Sequence, residues 1–227
     1  MNWVGDNLDL IWELTLVHLR QSVIAIVLGF LLSLPLGWLA WRYRGARGGI
    51  LTVTGLLYTI PSLALLPILP VVLGTPIFSE VNLILALTIY AIALMVRSVA
   101  DGLGSVDPAV RLSATAMGYG AGRRFWAVDF PLAGPVILAG LRVTAVSTIA
   151  LATVGALIGI TNLGYLFTNG SQRRIIPEVL AGIIAVVVIA LVIDGLLIAA
   201  GRVMMPWSRT QRRRARRAAL PLEVSVA

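Results

Sequence analysis

This chain lacks cysteine and lysine altogether, and charge of either sign is scarce. Its 227 residues hold no Cys, ten acidic residues and one histidine, His18. Without cysteine there is no disulfide, no thiolate zinc site and no cysteine nucleophile. A lone histidine cannot build a histidine metal centre. Only 12% of the residues are charged, against roughly 25% in soluble domains, so an integral membrane protein is expected rather than a soluble enzyme. No G-x4-G-K-[ST] stretch is present to cradle phosphates, so any ATP-driven activity needs a nucleotide-binding subunit from elsewhere. A membrane-embedded enzyme would need clustered His, Asp, Glu or Ser in the spans, and only Asp194 and scattered serines are there. A stand-alone secondary transporter or channel would predict inverted repeats or paired discontinuous helices, and no internal repeat is found. The opening MNWVGDNLDLIWE carries Asp6, Asp9 and Glu13 with no basic segment before an apolar core, so no cleavable signal is expected.

What the chain does have is apolar length. Hydrophobic residues make up 59% of it, and its mean hydropathy is +0.94. A spanning helix needs about 20 mostly apolar residues, and five runs qualify: roughly 23–41, 50–73, 81–96, 133–160 and 179–200. The second contains Pro61, Pro67 and Pro70, which predicts a kink or break near PSLALLPILP, or else a helix followed by an extended tail. Residues 5–20 show helical spacing of Leu8, Ile11, Leu14, Leu16 and Leu19. They either lie in the interface or extend the first helix. The expected organisation is an all-α membrane protein of about five spans: an extracytoplasmic lead-in at 1–22, a transmembrane domain at 23–205 and a basic tail at 206–227.

The formal charge of +8 is entirely arginine. Such a basic chain suggests nucleic-acid binding, but here the arginines flank apolar runs, which favours membrane topology. No nucleic-acid partner is expected. Arg42, Arg44 and Arg47 follow the first run; Arg97, Arg111, Arg123 and Arg124 lie between the third and fourth; Arg202, Arg209 and the RRRARR run at 212–217 follow the fifth. The positive-inside bias puts these in the cytoplasm, the N-terminus outside and the C-terminus inside, with Arg173 and Arg174 as exceptions. The tail from residue 207 is expected to be disordered, its arginines drawn to anionic lipid heads.

Between the third and fourth runs lies a polar insert, RLSATAMGYGAGRRFWAVDFPL, at 111–132. Asp107 before Pro108 predicts an N-cap and a proline at the first helical position, opening a short helix over 109–117. The glycines of GYG at 118–120 supply a turn. A second short helix, AGRRFWAVDF, then carries Phe125, Trp126 and Val128 on its apolar face, and Pro131 and Pro135 open the fourth span. Such a cytoplasmic knob either fits a groove in another protein or packs on its own bundle.

The insert resembles the loop of permeases of bacterial binding-protein-dependent ABC importers, E-A-A-x3-G-x9-I-x-L-P. At that spacing stand Leu112, Ser113, Ala114, Gly118, Val128, Phe130 and Pro131. Ala114, Gly118 and Pro131 match outright, and Leu112 replaces the glutamate. The stretch IGITNLG at 158–164 resembles the IGxxxLG segment of permeases for methionine and for glycine betaine-type osmoprotectants. With FPLAGPVILAGLR and the five-span layout, the likeness points to the osmoprotectant branch over about residues 15–205. It implies the permease subunit of an ATP-driven importer of glycine betaine, choline or a related compound, in the bacterial inner membrane; the alternative is methionine or another small solute. It also implies cytoplasmic ABC ATPase subunits, where ATP is hydrolysed, a second permease chain, identical or related, and an extracytoplasmic substrate-binding protein. No cofactor or metal is implied.

A quaternary ammonium substrate favours aromatic faces. Tyr58 and Tyr90 in spans two and three, and Tyr165 and Phe167 near the outer side, are candidates, each with the alternative of ordinary packing. Pro61, Asn162 and Gly164 complete a candidate pore or gate set. Arg142 and Asp194 lie inside apolar runs, where a charge is a functional candidate. Snorkelling or a structural ion pair is the expectation for Arg142, and pairing with an arginine for Asp194.

Overall fold

A computed structural model describes residues 2–207; the expectations for the tail beyond 207 fall outside them. The described residues form helices and turns without a strand. A short α1, Asn2–Asp6, precedes α2, Leu8–Arg42. The lead-in therefore extends the first span: α2 runs unbroken through residue 22 and through an internal Pro35. Its 35 residues rise about 52 Å at 1.5 Å per residue, more than the roughly 30 Å hydrocarbon core requires.

The second run is two helices, α3 (Arg44–Thr59) and α4 (Ser62–Leu73), bent by 103°. Pro61 causes the break. It has no N–H to continue α3, and its ring holds the preceding residue extended, with Ile60 at φ −65° and ψ 125°. The carbonyl of Ile60 is satisfied by the hydroxyl of Tyr90, which donates to it from α5. The prolines further along, Pro67 and Pro70, sit inside α4.

Helix α5 (Glu80–Gly104) is central, packed against α2, α3, α4 and α8. Ser79 caps it, accepting from the Val81 N–H at 3.3 Å. Close packing of α2 on α5 rests on small residues, the usual device where lipid removes the hydrophobic drive between helices. A Cβ at Gly37 would lie 2.5 Å from the Val99 Cβ, and one at Gly29 would overlap Ala91. Buried side chains cluster around Leu66, Leu83 and Tyr90 near the start of α5, and around Met95, Val99, Leu103 and Ile137 near its end.

Next come α6 (Pro108–Ala116), α7 (Ala121–Arg124), a π-helical turn at Phe125–Asp129, α8 (Phe130–Ala152), a 3-10 turn at Thr153–Ile158, α9 (Gly164–Arg173) and α10 (Ile176–Met204). The expected second short helix does not stand apart from the fourth span. It continues into it as a run over Ala121–Ile158. The π-turn makes this possible: the Phe130 N–H bonds to the Phe125 carbonyl five residues back, and the widened turn leaves room for Pro131, which has no N–H to give. The last helix, α10, is the least buried of the four single-helix candidate spans and packs mainly on α8 and α9. Four helices are long and apolar enough to cross a membrane, or five when the bent α3–α4 pair is one span.

Candidate functional site: the segment between the third and fourth spans

The insert is a folded unit at the C-terminal end of α5. Asp107 accepts from the Ala109 N–H at 2.8 Å and Pro108 follows it, so α6 starts as the sequence predicts. It stops at Gly118, whose φ of +84° lies where only glycine is unstrained. There the Tyr119 N–H reaches back to the Ala114 carbonyl at 3.1 Å and the Gly118 N–H to that of Thr115 at 3.0 Å, closing the helix end.

One buried carboxylate ties the unit together. Asp129 is 1% exposed and accepts from Arg111 Nε at 2.8 Å and Arg124 Nε at 3.3 Å. Arg111 also donates to the Leu103 carbonyl at the end of α5, and its guanidinium stacks 4.9 Å over the ring of Trp41 on α2. Arg124 donates to the Thr115 hydroxyl at 3.0 Å. Through Asp129 the segment is thus fastened to α2, α5 and the start of α8. Sequence reasoning missed this clasp. Its three charges are spread over 18 residues, and no short spacing links Arg111 to Asp129.

The residues aligned with the importer motif divide into two sets. Ala114 is buried, and Val128, Phe130 and Pro131 are half-buried; Phe130 packs on Phe125 and Trp126 at ring distances of 5.9 and 5.5 Å. These hold the segment down. Leu112, Ser113 and Gly118 face outward. Leu112 is 73% exposed, Met117 71% and Trp126 66%, an apolar relief that the described residues leave uncovered.

The pore or gate candidates do not form one cluster. Tyr58 and Tyr90 meet edge to face at 5.9 Å beside the break at Pro61; Tyr90 is buried, while Tyr58 and Pro61 are exposed. Asn162 is fully buried, and its polar atoms bond within the chain. Its amide donates to the Ala152 carbonyl at 2.8 Å and to Gln21 at 3.2 Å, while its carbonyl accepts from the Gly164 N–H at 2.8 Å. Gln21 in turn donates to the Thr161 carbonyl at 3.2 Å. Gly164 is buried beneath Thr153 and Ala156, Tyr165 is exposed, and Phe167 packs on Gly182. Asn162 and Gly164 thus lock the 3-10 turn to α9 and α2. At the same end, Arg20 pairs with Glu80 at 2.5 Å.

The two intramembrane charges find each other. Arg142 on α8 grips Asp194 on α10 through two bonds, 2.6 and 2.8 Å, so the expected ion pair forms. No group of three potential metal-ligating side chains occurs among the described residues.

The helical bundle as a whole is a fold seen in solved structures of ABC transporters. A chain of the inward-facing MetNI methionine ABC transporter superposes with a TM-score of 0.76 at 20% identity, over 87% of this chain and 97% of that one. A chain of an amino acid ABC transporter gives 0.73 at 18% identity, over 88% and 96%. The chain belongs to the family of binding-protein-dependent transport system inner membrane components, whose model matches residues 25–204. The choline transport system permease protein OpuBB of Bacillus subtilis is 32% identical over 194 residues, 85% of this chain and 87% of that one. The osmoprotectant import permease protein OsmW of Salmonella typhimurium is 31% identical over 208 residues, 87% and 93% of the two chains.

Proposed function

We propose that this chain is the permease subunit of an ATP-driven importer of glycine betaine, choline or a related osmoprotectant. The observation that carries the substrate class is its likeness along most of its length to permeases named for choline and for osmoprotectant import. This chain and a second permease chain, identical or related, form the pore, an extracytoplasmic binding protein delivers the substrate, and cytoplasmic ATPase subunits drive it. The 101–132 segment is the ATPase contact, and Leu112, Ser113 and Gly118 meet it. Its outward apolar relief and clasped underside support this, since a docking knob must be rigid to move the spans as a lever. Arginine placement puts that segment and the C-terminus in the cytoplasm and the N-terminus outside. Tyr58, Pro61 and Tyr90, at the only sharp break in a described span, are the candidates for the pathway itself.

Affinity purification of the solubilised chain from native membranes tests this reading. An ATPase subunit and a binding protein should come with it, and the binding protein should retain a quaternary ammonium compound. A binding protein selective for methionine would redirect the substrate class; transport by the chain alone, without an ATPase, would overturn the reading. Leu112→Glu should shift ATPase affinity by about tenfold, or 1.4 kcal/mol. Unchanged affinity removes position 112 from the interface.

A further inference from the structure

Beside the clasp, α2 and the start of the fourth span enclose an open groove of about 500 Å3. One wall is the last third of α2, where Leu31, Leu34, Trp38, Trp41 and Arg42 succeed one another; the other is built by Arg124, Phe125, Trp126 and Phe130. From Leu31 to Arg42 the α2 wall rises about 16 Å at 1.5 Å per residue, close to half of the roughly 30 Å hydrocarbon core. Along that rise the lining changes in order, from aliphatic through tryptophan to arginine. Tryptophan is the side chain of the headgroup boundary and arginine that of the headgroup layer. The outward surface of α2 just before the groove is Val27, Leu28, Leu31 and Leu32, all exposed, so the groove opens towards acyl chains.

Charge at the upper end is unbalanced. Arg42, Arg111 and Arg124 stand at or beside it against the single carboxylate of Asp129, which leaves two formal positive charges. Arg111 and Arg124 are engaged by Asp129. Arg42 is exposed and makes no ion pair with a described residue; its guanidinium lies 5.7 Å from the ring centre of Tyr43.

We propose that this groove binds one anionic phospholipid, with its phosphate on Arg42 and an acyl chain laid along Leu31, Leu34 and Trp38. The aliphatic lower half matches a lipid tail. A water-soluble subunit cannot reach it, because it lies within the apolar length of the span. The bound lipid wedges between α2 and the segment that Asp129 clasps. The proposal stands whatever the transported solute.

Native mass spectrometry of the full chain in detergent, titrated with a phosphatidylglycerol or a phosphatidylcholine of the same acyl chains, tests it. One phosphatidylglycerol should be retained per chain in preference to phosphatidylcholine. Arg42→Gln should weaken that retention about fivefold, the effect of one arginine at an anionic surface, and Arg173→Gln, away from the groove, should leave it unchanged. Equal retention of the two lipids, or full retention by Arg42→Gln, overturns the proposal. A photo-reactive phenylalanine analogue replacing Trp38, on the α2 wall and outside the 101–132 segment, in native membranes supplies a readout independent of mutant stability. Lipid adducts support the site; adducts to a second copy of the chain or to another subunit overturn it.

Discussion

Asp129 is the residue on which the segment between the third and fourth spans depends. Asp129→Asn keeps the shape but leaves two guanidiniums facing a neutral amide. With the carboxylate 1% exposed and the arginine side chains 18% and 27% exposed, the loss is expected on the order of 3 kcal/mol, the low end for breaking a buried pair. Faster proteolysis within 105–130 and a lower Tm in detergent would report it. Two glycines resist substitution for different reasons. A Cβ on Gly118 meets nothing within 4 Å, so Gly118→Ala should cost only the left-handed strain of about 1–2 kcal/mol. A large side chain there should leave the isolated chain little further affected and still uncouple ATP hydrolysis from uptake; normal coupling in Gly118→Trp would mean nothing docks on that side. A Cβ on Gly164 would overlap the Thr153 carbonyl and come within 2.9 Å of the Ala156 Cβ. Gly164→Ala should therefore lower stability by about 1–3 kcal/mol through overpacking, read as a lower thermal midpoint.

Among the elements, the broken second span shows how proline chemistry and a distant side chain divide the work. The three prolines announced an interruption, and the break falls at the first of them because Pro61 fixes Ile60 in an extended conformation. The sequence could not say what would satisfy the freed carbonyl. That is Tyr90, thirty residues away on α5, and sequence alone offered the ring as a candidate substrate face or as ordinary packing, with no partner named. Tyr90→Phe should cost about 1–3 kcal/mol, the price of an unsatisfied buried acceptor, measured as a shift in thermal midpoint; no shift would free the hydroxyl for another role. The insert teaches the same lesson. Its capped α6 and its glycine stop were legible, because an Asp-Pro start and a glycine end are local signals. The merger of its second half with the fourth span was not, because the proline at 131 reads as a helix start, whereas the π-turn before it lets the helix run on.

For the whole molecule, the decisive question is how α10, the least buried of the four single-helix candidate spans, stays attached. Helix association in lipid lacks the hydrophobic drive available in water, and the bidentate Arg142–Asp194 pair supplies a polar tie between α10 and α8. Removing either partner strands a charge among apolar spans. Arg142→Met or Asp194→Leu alone should reduce the yield of folded protein, while the two together should recover much of it. A double mutant worse than either single change would mean that the pair has a role beyond attachment.

Membrane residence, the number of apolar runs, the break in one of them and the start and stop of the short polar helix were all legible in the order of residues. Composition, proline, capping and glycine act on neighbouring residues, so each can be read without a partner. Which distant polar groups meet depends on the packed fold. Arg111 and Arg124 close on Asp129, Asn162 joins Gln21 to the turn before α9, and Arg142 finds Asp194. A buried polar group left unpaired is costly, and the partner that satisfies it is chosen by how the helices pack, which no local spacing records.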